Sequence, residues 1–307
     1  MLSCGIHMMR SMLFVPASRW SMIVKAANSA ADAVCIDLED SVAVEEKTAS
    51  RNNVIRAFQE LDFGKRRRIF RVNGLDTPFA YRDVIEVVEA AGEQIDLVML
   101  PKANSASDVA FVDQLLSQIE MHRGFQRRIG IEAQIETASG FVWLREIAQS
   151  SSRLESLIFG PGDYSASVRM PSSSIGGFDE HDEAYPGHRW HSVMHGIVAT
   201  ARAFNLRCMD GPYAAYQDAG GFERSCRIAR SMGFDGKQCI HPGQLAGANA
   251  AFGPSAEEFA EAEQVVRAYE EAVASGRGAA THKGKMIDAA NLRMARVVLE
   301  DWRSTHE

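Results

Sequence analysis

Glu136 closes the run IGIEAQIE, in which Ile129, Ile131, Ala133 and Ile135 alternate with Gly130, Glu132, Gln134 and Glu136. A carboxylate at the end of a buried strand is costly unless it is paired or bound to a metal. Asp163, in FGPGD, follows the next apolar run along the chain. Two acids on adjacent strand ends can place their oxygens around one hard divalent ion. Magnesium keeps several waters and takes one or two carboxylates plus substrate oxygens. Helix capping competes as an explanation for each acid, because the helix macrodipole stabilises acids near helix starts. The glycines flanking Pro161 weigh against it at Asp163, since they permit close approach of backbone to a ligand or metal. Arg71 lies between Phe70 and Val72. A buried arginine needs an anionic partner. Either the acids of DLEDS (37–41) or a substrate carboxylate supplies it, and the two are compatible.

Similar polar residues follow the other apolar runs: Ser18 and Arg19, then Asp37, Glu39 and Asp40, then Asn73, Lys102, Asp210 and His241. One terminal charge would be ordinary. Polar residues after all eight runs point to a shared site. His188, His191 and His195 stand at helical spacing, but no HExxH or accompanying cysteine supports zinc. They read as surface histidines on a helical lid, and His241 before Pro242 as a residue that orients a loop.

Eight short apolar runs carry these residues: 11–16, 33–37, 68–72, 97–101, 129–135, 156–160, 206–210 and 236–240. Amphipathic stretches such as TPFAYRDVIEVVEAAG and FERSCRIARSMG separate most of them. The alternation predicts an α/β fold, a closed (β/α)8 TIM barrel, whose strand ends converge on one mouth. An open doubly wound sheet would want a glycine-rich phosphate loop, and none is present. The stretch 169–187 is predicted to be a long irregular loop. Beyond the eighth run come an acidic helix, the segment RGAATHKGKMID and a last helix, which a barrel does not need. The expected domains are therefore a barrel at 1–250 and a C-terminal helical extension at 251–307. Asp288 immediately precedes the last helix, the position of an N-cap.

The 307 residues are 46% hydrophobic and 24% charged, as in a globular soluble protein. A net charge of −7 argues against nucleic acid as a partner. Five scattered cysteines, with no Cys-x-x-Cys, fit a reducing cytoplasm. No run approaches the roughly 20 apolar residues of a membrane span. MLSCGIHMMRSMLFVP lacks the pattern of a signal peptide, and Met8 or Met9 is read as the functional start.

The chain resembles the HpcH/HpaI aldolase and citrate lyase β-subunit family, and within it the malyl-CoA and β-methylmalyl-CoA lyases. RSMLFVPASRWSMIVKAANSAADAVCIDLEDSV, FRVNG, MLPKANS, IETASG, FGPGDYSAS, MDGPY and GFDGKQCIHPGQL stand in family order. The resemblance implies magnesium, or manganese in its place, on Glu136 and Asp163, with the substrate on Arg71, Glu136 and Asp163. It implies coenzyme A against Phe14, Arg19 and Lys25, the last two facing its phosphates. It implies that Asp288 is a catalytic acid/base supplied by the tail of a neighbouring subunit in a homotrimer or hexamer. The expected reaction is cleavage of a 3-hydroxyacyl-CoA to a 2-oxo acid and a shorter CoA thioester, or the reverse Claisen-type condensation. A citramalyl-CoA lyase, a malyl-CoA thioesterase, or a citrate lyase β-like subunit served by an acyl carrier protein are the alternatives. Two departures fall at the pocket rim: Ala17-Ser18 replaces Gly-Asn, and Gly-Pro-Gly-Asp replaces Gly-Ala-Gly-Asp.

Overall fold

The computed structural model of the protein describes residues 9–184 and 189–306. Each apolar run forms a strand: β1 Ser11–Pro16, β2 Ala33–Asp37, β3 Arg67–Arg71, β4 Leu97–Leu100, β5 Gly130–Ile135, β6 Leu154–Phe159, β7 Arg207–Asp210 and β8 Gly236–Cys239. All pair in parallel in chain order, and β8 closes on β1. The predicted (β/α)8 barrel is present. Its strands are apolar on both faces because helices cover the outside while side chains fill the inside.

Strand alternation decides what faces inward. Phe14, Cys35, Ile69 and Leu97 lie in register across β1 to β4. Met12, Cys35, Ile69, Met99, Ile158 and Met209 build the interior cluster, with Phe14 against it. One pleat nearer the mouth, Asp37 faces Arg71 across β2 and β3. Glu132 and Gln134 share this inner face on β5, and Ser156 and Arg207 continue the row from Glu132.

Compactness divides the described chain into a unit at Met9–Asn249 and a second beginning at Ala250. In the second, helices Ala256–Ala274 and Ala289–His306 pack together, and Phe259 stacks on Trp302 at 4.9 Å. A hairpin of Ala280–His282 and Lys285–Ile287 lies between them in sequence. Its two-residue loop, Lys283-Gly284, has φ of 46° and 75°, the mirror-image turn that matches strand twist.

Within 169–187 the structure differs from the irregular loop expected. A helical turn, Glu180–Ala184, is present, and Arg189 ties down its start through Asp179 and Asp182 at 3.0 and 3.1 Å. His188 and Met1–Met8 lie outside the described residues. Among the described residues no helix is long and apolar enough to cross a membrane.

Candidate active site

The carboxyl ends of β2 to β6 bring most of the singled-out residues together. Asp37, the last residue of β2, accepts from Arg71 Nε at 2.7 Å and Nη2 at 2.9 Å. Arg71 Nη1 lies 2.8 Å from Glu39 Oε2. The acids of DLEDS are thus the partners of Arg71. Asp37 takes two of its five N–H bonds, whereas Glu39 Oε2 pairs with Nη1 by charge without accepting a hydrogen bond, so N–H bonds remain for another acceptor. Burial opposes ionisation of Asp37, but the Arg71 guanidinium and the Ser41 hydroxyl overcome it and hold the carboxyl at about 2. Phe14 lies beneath this pair, with the guanidinium 5.3 Å from its ring centre.

Glu136 follows directly on β5 and is 2% exposed. Its Oε1 accepts from the Lys102 peptide N–H at 2.7 Å, and its Oε2 from Gln134 Nε2 at 2.8 Å. Neither donor carries a full charge. Burial, with the charges of Glu39 and Asp163, pushes the carboxyl up to about 8 against the pull of Arg71. Gly160, just after β6, backs onto this acid: a Cβ there would meet Glu136 Cβ and Oε2 at 2.4 Å. Asp163 stands in the first turn of the helix Pro161–Ser167, with its side chain 42% exposed.

Lys102 joins the groups. Its Nζ lies 2.5 Å from Glu39 Oε1, 3.6 Å from Asp40 Oδ1 and 3.9 Å from Asp163 Oδ2. Burial lowers its proton affinity, but Glu39 outweighs that and holds the ammonium well above its usual range. Asp37, Glu39, Asp40, Glu136 and Asp163 thus share the mouth with Arg71 and Lys102, while the buried Lys47 ammonium lies behind them, donating to the Leu38 and Glu39 carbonyls at 2.9 Å each. Among the described residues no group of three or more His, Cys, Asp or Glu is arranged around a metal position. A divalent cation with one or two carboxylates and several waters meets both the excess of acid and the uncharged donors on Glu136.

Other strand-end residues turn away from the mouth. Asp210 pairs with buried Lys237 of β8, on the outward faces of β7 and β8. Asn73 donates its backbone N and side-chain Nδ2 to buried Asp83, at 2.9 and 2.6 Å. His241 Nδ1 accepts from Gly243 N at 3.1 Å, and its ring stacks on Tyr216 at 4.8 Å, a loop-ordering arrangement. His191 and His195 lie side by side on the helix His191–Ala203, with ring centres 4.6 Å apart. Arg19 and Lys25 are exposed at the start and in the last turn of the helix Trp20–Ala27, and neither pairs with a described acid. Asp288 Oδ1 accepts from Ala290 N at 2.8 Å and Asn291 N at 3.2 Å, so it caps the last helix. The alternation did not single out Gln134, and Lys102 was placed among the strand-end residues of the shared site with no partner named. Gln134 had a legible signal, one pleat before Glu136. The position of Lys102 was legible but its contacts were not, because they come from the segment after β2 and from the turn after β6.

A sequence profile described as HpcH/HpaI aldolase/citrate lyase matches residues 10–242. An L-malyl-CoA/β-methylmalyl-CoA lyase of Rhodobacter capsulatus is 41% identical, covering 94% of this chain and 93% of that protein. A (3S)-malyl-CoA thioesterase of Cereibacter sphaeroides is 34% identical, covering 95% and 94%. The crystal structure of CitE from Mycobacterium tuberculosis, in complex with magnesium, acetoacetate and coenzyme A, superposes with a TM-score of 0.77. It is 31% identical and covers 97% of this chain and 99% of that one.

Proposed function

The chain belongs to the HpcH/HpaI aldolase/citrate lyase family, and from this we infer that it is a magnesium-dependent carbon–carbon lyase of CoA thioesters. Its substrate class is a 3-hydroxyacyl-CoA such as L-malyl-CoA or β-methylmalyl-CoA. Cleavage breaks the bond between the hydroxyl-bearing carbon and the thioester α-carbon. The hydroxyl gives up its proton, the α-carbon gains one, and the products are glyoxylate with acetyl- or propionyl-CoA. The observation that carries this reading is the buried Glu136 beside half-exposed Asp163 in a mouth where acids outnumber cations.

Glu136 and Asp163 would hold the divalent ion, which supplies Lewis-acid polarisation of the 2-oxo acid oxygens. Lys102 N–H and Gln134 keep Glu136 oriented without competing charge. Arg71, held by the bidentate Asp37 contact and the charge of Glu39, offers its remaining N–H bonds to the anionic oxygen that develops as the bond breaks. Arg19 and Lys25, exposed and without acidic partners among the described residues, suit the phosphates of coenzyme A, with Phe14 nearer the reacting end. Asp288 of a neighbouring subunit is proposed to exchange the α-proton, which makes a homotrimer or hexamer part of this reading. A reducing cytoplasmic setting belongs to it too, since Cys35, Cys208, Cys226 and Cys239 are free and buried.

The thioesterase relative favours hydrolysis as a second reading. One experiment separates the two. Malyl-, β-methylmalyl- and citramalyl-CoA are incubated with enzyme and magnesium, and glyoxylate, pyruvate and free thiol are followed. The lyase releases glyoxylate without free thiol, and Glu136→Gln should abolish that release while the circular dichroism is unchanged. Free thiol appearing with malate and no glyoxylate would overturn the lyase assignment.

A further inference from the structure

Lys102 touches both acids of the proposed metal pair by two different chemistries. Its peptide N–H, which carries no net charge, fixes Glu136 Oε1 at 2.7 Å. Its ammonium lies 3.9 Å from Asp163 Oδ2 while binding Glu39 at 2.5 Å and approaching Asp40 at 3.6 Å. The backbone accepts a φ of 48° to do both, a value that side-chain-bearing residues rarely adopt. Its surroundings hold that conformation. Ala103 N donates to Gln134 O at 3.1 Å, and a Cβ on Gly140 would come within 2.4 Å of Ala103 O. A simple surface ion pair would need none of this.

We infer that Lys102 is a positioning residue that acts as the mouth's resident cation, opposing the divalent ion at Asp163 and keeping Glu39 and Asp40 out of its coordination shell. This rests on the metal reading proposed above. A fixed positive charge about 4 Å from one ligand oxygen repels a dication bound to that oxygen, so it weakens binding. It also ties up the two acids that could crowd the ion. With only Glu136 and Asp163 contributed by the protein, coordination positions stay free for substrate oxygens. Without Lys102, Asp40 and Glu39 Oε1 become available while Glu39 Oε2 stays with Arg71, and oxygens from four carboxylates make a set suited to calcium, which takes six to eight oxygens.

Calorimetric titration of the full-length protein with Mn2+, at alkaline pH where protons compete least, tests the inference. Lys102→Met should bind Mn2+ roughly tenfold more tightly than wild type and gain Ca2+ binding, while losing turnover. Lys102→Arg, which keeps the charge, should stay near the wild-type affinity. A merely structural lysine predicts the opposite sign, weaker binding in a loosened site. Equal or weaker Mn2+ binding by folded Lys102→Met would overturn the inference while leaving the metal reading intact. Wild-type protein that binds no Mn2+, or binds it as well as Glu136→Gln does, would overturn both. Should Lys102→Met not fold, Glu39→Gln decides. With its first partner gone, the ammonium turns to Asp163 and Mn2+ affinity should fall roughly tenfold; unchanged affinity overturns the inference.

Discussion

Arg71 shows how one side chain serves two anions in turn. Its Nε and Nη2 grip Asp37 in a planar fork, and Nη1 reaches Glu39. The sequence already named both kinds of partner for this arginine, the DLEDS acids and a substrate carboxylate. It could not say that Asp37 takes the bidentate contact, because that depends on β2 and β3 standing in register at this pair. A lysine keeps the charge but cannot make the planar bidentate contact with Asp37 and still present N–H bonds elsewhere. Arg71→Lys is therefore expected to lose about 10²-fold in kcat/KM, the scale of one lost transition-state donor. Its apparent affinity for glyoxylate in the condensation direction should fall as well. Steady-state kinetics in both directions check this, and full activity with unchanged glyoxylate affinity would remove Arg71 from the site.

At the scale of an element, β5 carries more than Glu136. Glu132 lies two pleats deeper, fully buried, with both carboxyl oxygens lacking a hydrogen-bond partner. Arg207 Nη2 is 3.7 Å away, too far for a hydrogen bond, and it is also engaged by Glu155 at 3.0 Å. Burial pushes Glu132 up to about 7, and Arg207 and Arg67 only partly offset that. The native state thus holds a proton that the unfolded chain releases near 4.5. Stability from this group is fully present below about 4.5 and is lost as pH rises through about 7. Glu132→Gln removes the titration. Relative to wild type it should gain stability steadily across that window and then level off at roughly 3 kcal/mol. Urea unfolding at several pH values measures it, and a difference independent of pH would show that Glu132 does not titrate there. The alternation of IGIEAQIE placed Glu132 and Glu136 on one face. It did not show that one lies sealed in the interior and the other at a mouth.

For the whole molecule the open matter is the second unit. The described structure shows Asp288 as a helix cap, with Asn291 Oδ1 returning the bond to Asp288 N at 3.0 Å. Capping and catalysis are compatible, and asparagine separates them because it caps about as well. Asp288→Asn should therefore keep its melting temperature. Exchange of the thioester α-proton should fall by about 10²-fold or more, the usual loss of a general base. Mixed oligomers of Asp288→Asn and Arg71→Ala subunits should regain activity, because some sites then combine an intact barrel with an intact tail. If light scattering and mass spectrometry show that the subunits mix and no activity returns, donation across the interface is excluded.

The sequence by itself determined the eight strands, their parallel closure and the positions of Glu136, Asp163 and Arg71 near strand ends. Burial on both faces makes each barrel strand a visible apolar run, and a parallel strand needs a helix before the next. Tertiary structure alone decided which way each terminal side chain points. Asp210 and Asn73 stood in the same sequence pattern as Glu136, yet they face Lys237 and Asp83 instead of the mouth. Strand parity sets that direction for Asp210, one residue beyond inward Met209, whereas Asn73 shares the parity of Arg71 but lies past the end of β3, where the chain turns to Asp83. The contacts of Lys102 were likewise hidden, since Glu39 and Asp163 lie 63 and 61 positions away in opposite directions along the chain. Only closure of the barrel brings the three charges to one place.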